Sequence, residues 1–224
     1  MKPEKDTTKD SPYDQNIDSD TENTDTPDND QLPPEAEVIL EINDYVVYPL
    51  HGIGVITEIF SNENDEKLYK IKLKESDMSI SLPVKSVSGA GVRKIITKED
   101  IANVIANFSI RPAGTEDNWR FRFQENIKKL KSGNIENSIT LIKQLFLRNK
   151  RKALSTIERK QFENAFEMLI KEVAIASETN EKQVTSLLSS KLDELYEKEV
   201  AATTAATPKK TNPPTDPTPS KPSK

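Results

Sequence analysis

The sequence contains no cysteine and a single histidine among its 224 residues. Without cysteine the chain forms no disulfide and no thiolate metal site, and one histidine cannot build a usual zinc site. His51 lies in a Pro-Leu-His-Gly turn, where a structural role is the simpler interpretation. We therefore expect no metal ion and no cofactor. The absence of cysteine also fits a reducing cytoplasm.

Long apolar runs and phosphate-binding motifs are missing as well. No stretch is apolar and long enough to span a membrane, and the acidic, polar start is unlike a secretory signal peptide. The Gly52–Gly54 segment lacks the third glycine and the following helix of a dinucleotide fingerprint. An enzyme is not expected. A hydrolase with a carboxylate pair stays open as a third hypothesis, and it would need a pocket holding two acids of perturbed pKa.

Both ends of the chain have compositions that are typical of disorder. Residues 1–41 carry 3 Lys and Arg against 13 Asp and Glu, with few apolar residues. Such a segment cannot bury enough apolar surface to offset its ordering entropy. The other end is mostly Ala, Thr, Pro and Lys. We predict an acidic disordered tail at 1–38, without an assigned role, and a second disordered tail at 199–224.

The acidic tail hides a mildly basic remainder of the chain. The whole chain has a net charge of −5, but residues 42–198 have a net charge of +3. Within them, residues 99–155 hold 11 Lys and Arg against 6 Asp and Glu. This bias favours a nucleic-acid partner, but a solvated helix face is an equally good interpretation of the same charges.

Five strand-like segments lie within residues 39–97. Each is short, apolar or alternating, and turn residues such as Pro49 and the 62–65 cluster separate them. The predicted strands are 45–48, 53–60, 68–74, 78–83 and 91–96. Five short strands with tight turns favour a small SH3- or Tudor-like β-barrel. Such barrels usually bind partners rather than catalyse reactions.

From Thr97 onward the apolar residues recur with helical spacing. Capping boxes at 97–100 and 155–158 mark two helix starts, and Gly133 suits a left-handed helix end. We predict a compact five-helix domain at 98–198. The predicted fold class is therefore α+β, with a five-stranded barrel followed by a helical domain, between an acidic tail and a tail rich in Pro, Thr and Lys.

The only tryptophan of the chain stands at the predicted start of one of these helices. Asp117 or Asn118 can cap the first turn, which places Trp119 within it. An apolar stripe continues from Trp119 at i+4, i+8 and i+11: Phe123, Ile127 and Leu130.

Two interpretations of Trp119 follow from this pattern. In the first, Trp119 extends the stripe and packs on the core, as tryptophan usually does. In the second, it is an exposed wedge that inserts at a DNA base step while Arg120 and Arg122 hold phosphates. Phe121 lies roughly opposite the stripe, where it either packs against another helix or is a second exposed aromatic residue.

Two motifs in this order resemble the CarD/CdnL family of bacterial transcription regulators. The first is Asn43 to Gly54, at the start of the predicted barrel, and the second is Asn118-Trp119-Arg120. The likeness covers residues 42–195. Further matching segments are Leu82-Pro83, Gly91-Val92-Arg93, Glu125 to Gly133, Leu154-Ser155 and Glu158-Arg159-Lys160. The Pro-x-His-Gly turn alone is weak, because it also occurs in the related domain of the transcription-repair coupling factor.

The resemblance implies a division of labour between the two predicted domains. The barrel would bind the β subunit of RNA polymerase, and the helical domain would bind promoter DNA at the upstream edge of the transcription bubble. Trp119 would wedge into the minor groove with little sequence preference and favour the open complex. The implied DNA-binding residues are Trp119, Arg120, Arg122, Lys150, Arg151 and Lys152.

Some positions depart from the family pattern. Asn62 and Ser81 stand where members carry arginines that meet acidic groups on β, and Gln124 replaces a lysine of some members. The polymerase contact would then depend on strand pairing or on lysines of the barrel. The candidate polymerase-binding residues are Ile59, Asn62, Lys67, Lys70 and Ser81, with Lys72 as a further lysine.

The sequence as a whole predicts a monomeric, cytoplasmic, nucleoid-associated transcription regulator that is not an enzyme. The alternative is a protein–protein adaptor that is tethered to RNA polymerase without direct DNA binding. Solvent exposure of Trp119 distinguishes the two, because only a wedge needs the indole in solvent.

Overall fold

The computed structural model describes residues 39–114 and 118–205. Within these residues, five strands precede five helices, which confirms the predicted α+β class. The predictions for residues 1–38 and 206–224, and the alternative cap Asp117, lie outside the described residues. The sheet and the helices belong to one compact unit, and the predicted division at residue 97 stays a prediction.

The sheet is antiparallel throughout. Its strands are β1 (Tyr45–Tyr48), β2 (Gly52–Ser61), β3 (Lys67–Leu73), β4 (Ser79–Pro83) and β5 (Arg93–Lys94), in the order β4-β3-β2-β1-β5. A short 3₁₀ turn, Val84–Ser86, follows β4. Because β4 and β5 are the two edges of this sheet, its closure into a Tudor-like barrel stays a prediction.

Alternation along the strands separates a buried face from an exposed one. In β3, Tyr69, Ile71 and Leu73 are buried, whereas Lys72 between the last two is exposed. Ile71 pairs with Ile56 of β2 and with Ile80 of β4. These apolar side chains form a core that is separate from the core of the helices.

In the described residues, side-chain caps stand before the helices that follow Asn118, Asn134 and Ser155, and the helix that follows Asp100 has none. The described helices are α1 (Ile101–Phe108), α2 (Trp119–Lys131), α3 (Ile135–Arg151), α4 (Thr156–Ser177) and α5 (Glu181–Ala205). Ser155 and Glu158 form the full capping box predicted for α4. Asn118 caps α2 by accepting from the N–H of Arg120 at 3.0 Å. Gly133, at φ +66°, follows the end of α2 as predicted.

Two sequence expectations about the helices are wrong. Helix α5 continues to Ala205, so residues 199–205 are helical rather than part of a disordered tail, and Glu199 is buried. In α2 the buried residues are Arg122, Asn126 and Leu130, so only Leu130 of the predicted apolar stripe is buried. The buried face of α2 is mostly polar because it lies against polar side chains of α3 and α4, with which it forms hydrogen bonds.

Candidate nucleic-acid interface

Trp119 is the first residue of α2, and 62% of its surface is exposed. The core interpretation of this residue is therefore wrong. An indole in the first turn has no preceding turn of its own helix to cover it. The guanidinium carbon of Arg120 lies 5.5 Å from the centre of the Trp119 ring, close enough for a cation–π contact. The ring thus lies in solvent beside an exposed positive charge.

Two further aromatic side chains of α2 are exposed. Phe121 is 60% exposed and Phe123 is 38% exposed. Trp119 and Phe123 are four residues apart, on the same side of α2. Two large exposed rings on one side of a helix indicate a surface that meets a partner. We call Trp119, Arg120 and Phe123 the aromatic surface.

Arg122, by contrast, lies on the buried side of α2 with 6% of its surface exposed. Its Nη2 and Nε lie 3.1 and 3.2 Å from Oε1 of Glu158, at the start of α4. Nε of Arg148 on α3 lies 3.4 Å from the same oxygen. The Glu158 carboxylate therefore joins α2, α3 and α4. The structure does not place Arg122 beside Arg120 on the exposed surface.

The pKa of the Glu158 carboxyl is lowered by this arrangement. Burial raises its pKa, but hydrogen bonds from the Ser155 backbone and hydroxyl and from Arg122 outweigh burial. The Ser155 groups donate to Oε2 at 3.0 and 2.9 Å. Glu158 is therefore ionised at neutral pH, as a partner for two guanidinium groups must be.

Two more polar contacts continue along the same face of α2. Asn126 donates to Oε1 of Gln161 on α4 at 2.9 Å, and both side chains are buried. Lys129 donates to Oε1 of Gln144 on α3 at 2.9 Å. We call the contacts Arg122–Glu158, Asn126–Gln161 and Lys129–Gln144 the polar ladder. Leu130 is the only buried apolar residue of α2, so the polar ladder fixes the direction in which α2 points.

The segment that leads to Trp119 is held by buried polar groups of α3. Lys143 is 2% exposed, and its ammonium donates to two oxygens of Asn107 at 2.7 Å and to the Ile110 carbonyl at 3.0 Å. Burial lowers the pKa of Lys143. Gln144 donates to the Ala113 carbonyl at 2.9 Å. These bonds tie the end of α1 and the following loop to α3.

The basic cluster at the end of α3 is engaged with α5. Lys150 lies 3.2 Å from Asp193 and over the ring of Tyr196. Arg151 pairs with Glu199, which also meets Arg111 at 3.3 Å. Lys152 directly follows α3 and is exposed. Of the six predicted DNA-binding residues, Trp119 and Arg120 lie together on the exposed start of α2. A DNA contact by any of the six stays a prediction.

The predicted polymerase-binding residues fall into separate places on the sheet. Lys70 and Ser81 are register partners on β3 and β4. Glu58 of β2 is the other register partner of Lys70, and its carboxylate pairs with the Lys70 ammonium at 3.2 Å. Glu58, Lys70 and Ser81 thus form one row across three strands, next to the free edge of β4.

The other polymerase candidates lie outside this row. Asn62 builds the turn between β2 and β3, where its Oδ1 accepts from the N–H groups of Asn64 and Glu66 at 3.0 Å each. Ile59 pairs in register with Tyr69, on the opposite face from Lys70, and is 39% exposed. Lys67 is exposed at the start of β3. A polymerase contact by any of these residues stays a prediction.

No sequence pattern predicts that Glu158, Gln161 and Arg148 help to hold the helix that carries Trp119. The sequence indicates Glu158 as a helix cap and as part of a segment that matches the family, but no local pattern links it to Arg122, 36 positions earlier. Within the described ranges, no cluster of His, Asp and Glu suits a metal ion. In the same part of the chain, no helix is long and apolar enough to cross a bilayer.

Comparison with known proteins gives matches over both the sheet and the helices. The family model described as "CarD-like/TRCF RID domain" matches residues 40–96, and the model described as "CarD, C-terminal domain" matches residues 103–189. "Putative transcription factor YdeB" from Bacillus subtilis (strain 168) is 28% identical over 151 residues, which is 66% of this chain and 99% of that protein. The two family models follow one another over both the sheet and the helices. The chain belongs to the CarD/CdnL family, whose members are transcription factors rather than enzymes.

Proposed function

We propose that this protein binds the RNA polymerase β subunit through its sheet, and stabilises the promoter open complex by inserting Trp119 into the minor groove at the upstream edge of the bubble. The observation that supports this most is the exposure of Trp119 on a helix that is fixed by buried polar contacts. A ring held in solvent at a defined position can act on a partner without first rearranging.

The energetics of a wedge favour DNA that is already melting. Unstacking a base step costs a few kcal/mol, and an inserted ring offsets this cost by stacking on the exposed base. At the edge of a bubble, the base pair next to the melted region has already lost its stacking on one side. Arg120 beside the ring supplies a cation for a phosphate. Such contacts read the shape and deformability of DNA, so we expect a weak sequence preference.

For the polymerase contact, we propose that the sheet closes as a Tudor-like barrel and offers the edge of β4 for strand pairing. An edge strand presents unpaired N–H and C=O groups that an added strand can satisfy. Ser81 lies on this edge strand, and Lys70 and Glu58 continue its row. Because Lys70 already pairs with Glu58, backbone pairing would contribute more to affinity than this lysine.

The direct test is the lifetime of the open complex on one promoter, measured for polymerase alone and with each form of the protein. Wild type should lengthen the lifetime, and Trp119→Ala should lose this gain while it still binds polymerase. Leu187→Ala is the matched control, because Leu187 is an apolar side chain on α5 that is 40% exposed. It should behave as wild type.

A second candidate function is the polymerase-tethered adaptor that binds protein rather than DNA. The observation that favours it is the engagement of Lys150 and Arg151 with Asp193 and Glu199, which removes two cations from a DNA surface. If Trp119→Ala and wild type lengthen the lifetime equally, the wedge is wrong and the adaptor function replaces it.

A further inference from the structure

Two matching segments of the family, Gly91-Val92-Arg93 and Ser132-Gly133, have no role in the function proposed so far. The structure brings them together where the sheet meets the helices. A side chain on Gly91 would collide with the Lys131 carbonyl, and one on Gly133 would collide with the backbone of Gly91. Both glycines also have positive φ, +69° and +66°. Two turns therefore touch backbone to backbone at this junction.

Arg93 fixes this junction from β5. Its Nε donates to the Gly133 carbonyl. Its Nη1 donates to Oε1 of Glu172 on α4, and its Nη2 donates to Oε2 at 2.9 Å. The N–H of Ile96 donates to the same carboxylate at 3.0 Å. Glu172 is 2% exposed, and a bidentate pair in such a site allows one orientation of β5 against α4.

Lys171, next to Glu172, adds an outer contact to the same junction. Its ammonium pairs with Glu75 of the β3–β4 loop and with Glu167 on its own helix. The pKa of Lys171 is raised; burial lowers it, but the two carboxylates outweigh burial. The sheet is thus held to α4 by a buried pair and a more exposed one.

The same helix holds α2 at its other end through Glu158 and Gln161. Glu158 and Glu172 are 14 positions apart in α4, which corresponds to about 21 Å along a helix axis. Helix α4 contains neither glycine nor proline, the residues at which helices usually kink. Ala165, Leu169 and Ile170 between the two carboxylates are buried in the helical core.

We propose that α4 is a rigid strut, with Glu172 and Glu158 as positioning residues that set the distance and direction of Trp119 relative to the sheet. The proposal rests on the function proposed above and deepens it. If the sheet is docked on polymerase, the strut decides whether the indole reaches the DNA at the correct place. Loss of the Glu172 contacts would leave the sheet and the aromatic surface intact, but the position of one relative to the other would no longer be fixed.

The first test measures the distance between the two surfaces. The chain lacks cysteine, so Lys72→Cys on β3 and Gln124→Cys on α2 accept spin labels at two exposed sites only. We expect a narrow distance distribution by double electron–electron resonance. Adding Glu172→Gln or Arg93→Ala should broaden it. Lys191→Ala, which removes the Lys191–Glu194 pair within α5, is the control and should leave it narrow.

The second test measures open-complex lifetime with the unlabelled Glu172→Gln, Arg93→Ala and Trp119→Ala variants. We expect Glu172→Gln and Arg93→Ala to lose most of the lifetime gain while their affinity for polymerase stays within twofold of wild type, and Arg93→Lys to fall between. Circular dichroism identifies any variant that fails to fold, and Glu172→Gln, which keeps the shape of the side chain, then decides the result.

The outcomes separate the strut from the function on which it rests. If Trp119→Ala leaves the lifetime gain intact, the proposed function is wrong. If Trp119→Ala loses the gain but folded Glu172→Gln keeps both the gain and the narrow distance distribution, the strut is overturned.

Discussion

Helices α2 and α3 are neighbours that attach to the molecule in opposite ways. Helix α3 buries a broad apolar face, including Ile139, Ile142 and Leu145. Helix α2 buries one apolar residue, Leu130, and is otherwise held by the polar ladder. Both helices are well formed, so the difference concerns attachment and not secondary structure.

The difference shows how stability and direction are divided between the two helices. Apolar burial is strong but non-directional, so α3 stabilises the domain whatever the exact angle of its side chains. Hydrogen bonds and ion pairs require particular distances and angles. The polar ladder therefore holds α2 in one orientation at a small gain in stability, which suits a helix that presents Trp119.

The largest loss of stability is expected from the apolar side of this comparison. Ile142 is fully buried, so Ile142→Ala removes apolar contacts and leaves a cavity. The free energy of unfolding should fall by about 3–5 kcal/mol. Urea unfolding followed by circular dichroism measures this. If Ile142→Ala lowers the free energy of unfolding less than Glu158→Gln does, the claim that α3 contributes more stability than the polar ladder is wrong.

A smaller loss is expected from Glu158→Gln, which removes the charge that Arg122 and Arg148 share. The free energy of unfolding should fall by about 2–3 kcal/mol, because an amide keeps part of the hydrogen bonding. The variant should also increase the mobility of Trp119, measured by time-resolved fluorescence anisotropy. Unchanged Trp119 mobility would show that the polar ladder does not orient the indole.

The effect of Glu158 should depend on pH in one direction. Its folded-state pKa lies below the ordinary value of 4.5, so its contribution is present above pH 4.5 and is lost as pH falls through the folded pKa. The stability gap between wild type and Glu158→Gln should therefore stay constant near neutral pH and narrow below about pH 4.5. Unfolding measured at a series of pH values tests this, and a gap that stays constant down to pH 3 contradicts it.

The smallest loss of stability is expected at the aromatic surface. Trp119→Ala should change the free energy of unfolding by less than about 0.5 kcal/mol, because the indole makes few internal contacts. The same variant should show the largest functional loss in the open-complex assay. A stability loss comparable to that of Ile142→Ala would identify Trp119 as a core residue and would contradict the contrast drawn between α2 and α3.

The sequence predicts those features that depend on neighbours along the chain. The alternation of β3, the capping box of Ser155 and Glu158, and the glycine that follows α2 are all local patterns, and the structure confirms them. The exposure of Trp119 does not follow from helical spacing, which places it on the stripe with Phe123. The resemblance to the family favoured the wedge instead.

The features that sequence reasoning missed are pairs of residues far apart in the chain. Arg122 meets Glu158 across 36 positions, and Arg93 meets Glu172 across 79. No period or motif links such partners. The sequence alone therefore suggests that Arg122, which is buried, is an exposed phosphate ligand. The helical state of residues 199–205 is not predicted for a different reason. Their composition resembles that of a disordered tail, but alanine favours helix, and these residues continue α5.

The central claim is that α2 presents the ring of Trp119 to unstacked bases. Trp119 is the only tryptophan, so fluorescence excited selectively at tryptophan reports on this ring alone. The measurement is made at saturation with a forked DNA, shaped like the upstream edge of a bubble. Stacking on a base should lower both the emission of Trp119 and its quenching by acrylamide. Emission and quenching that stay the same when the protein is fully bound to the fork would contradict the account.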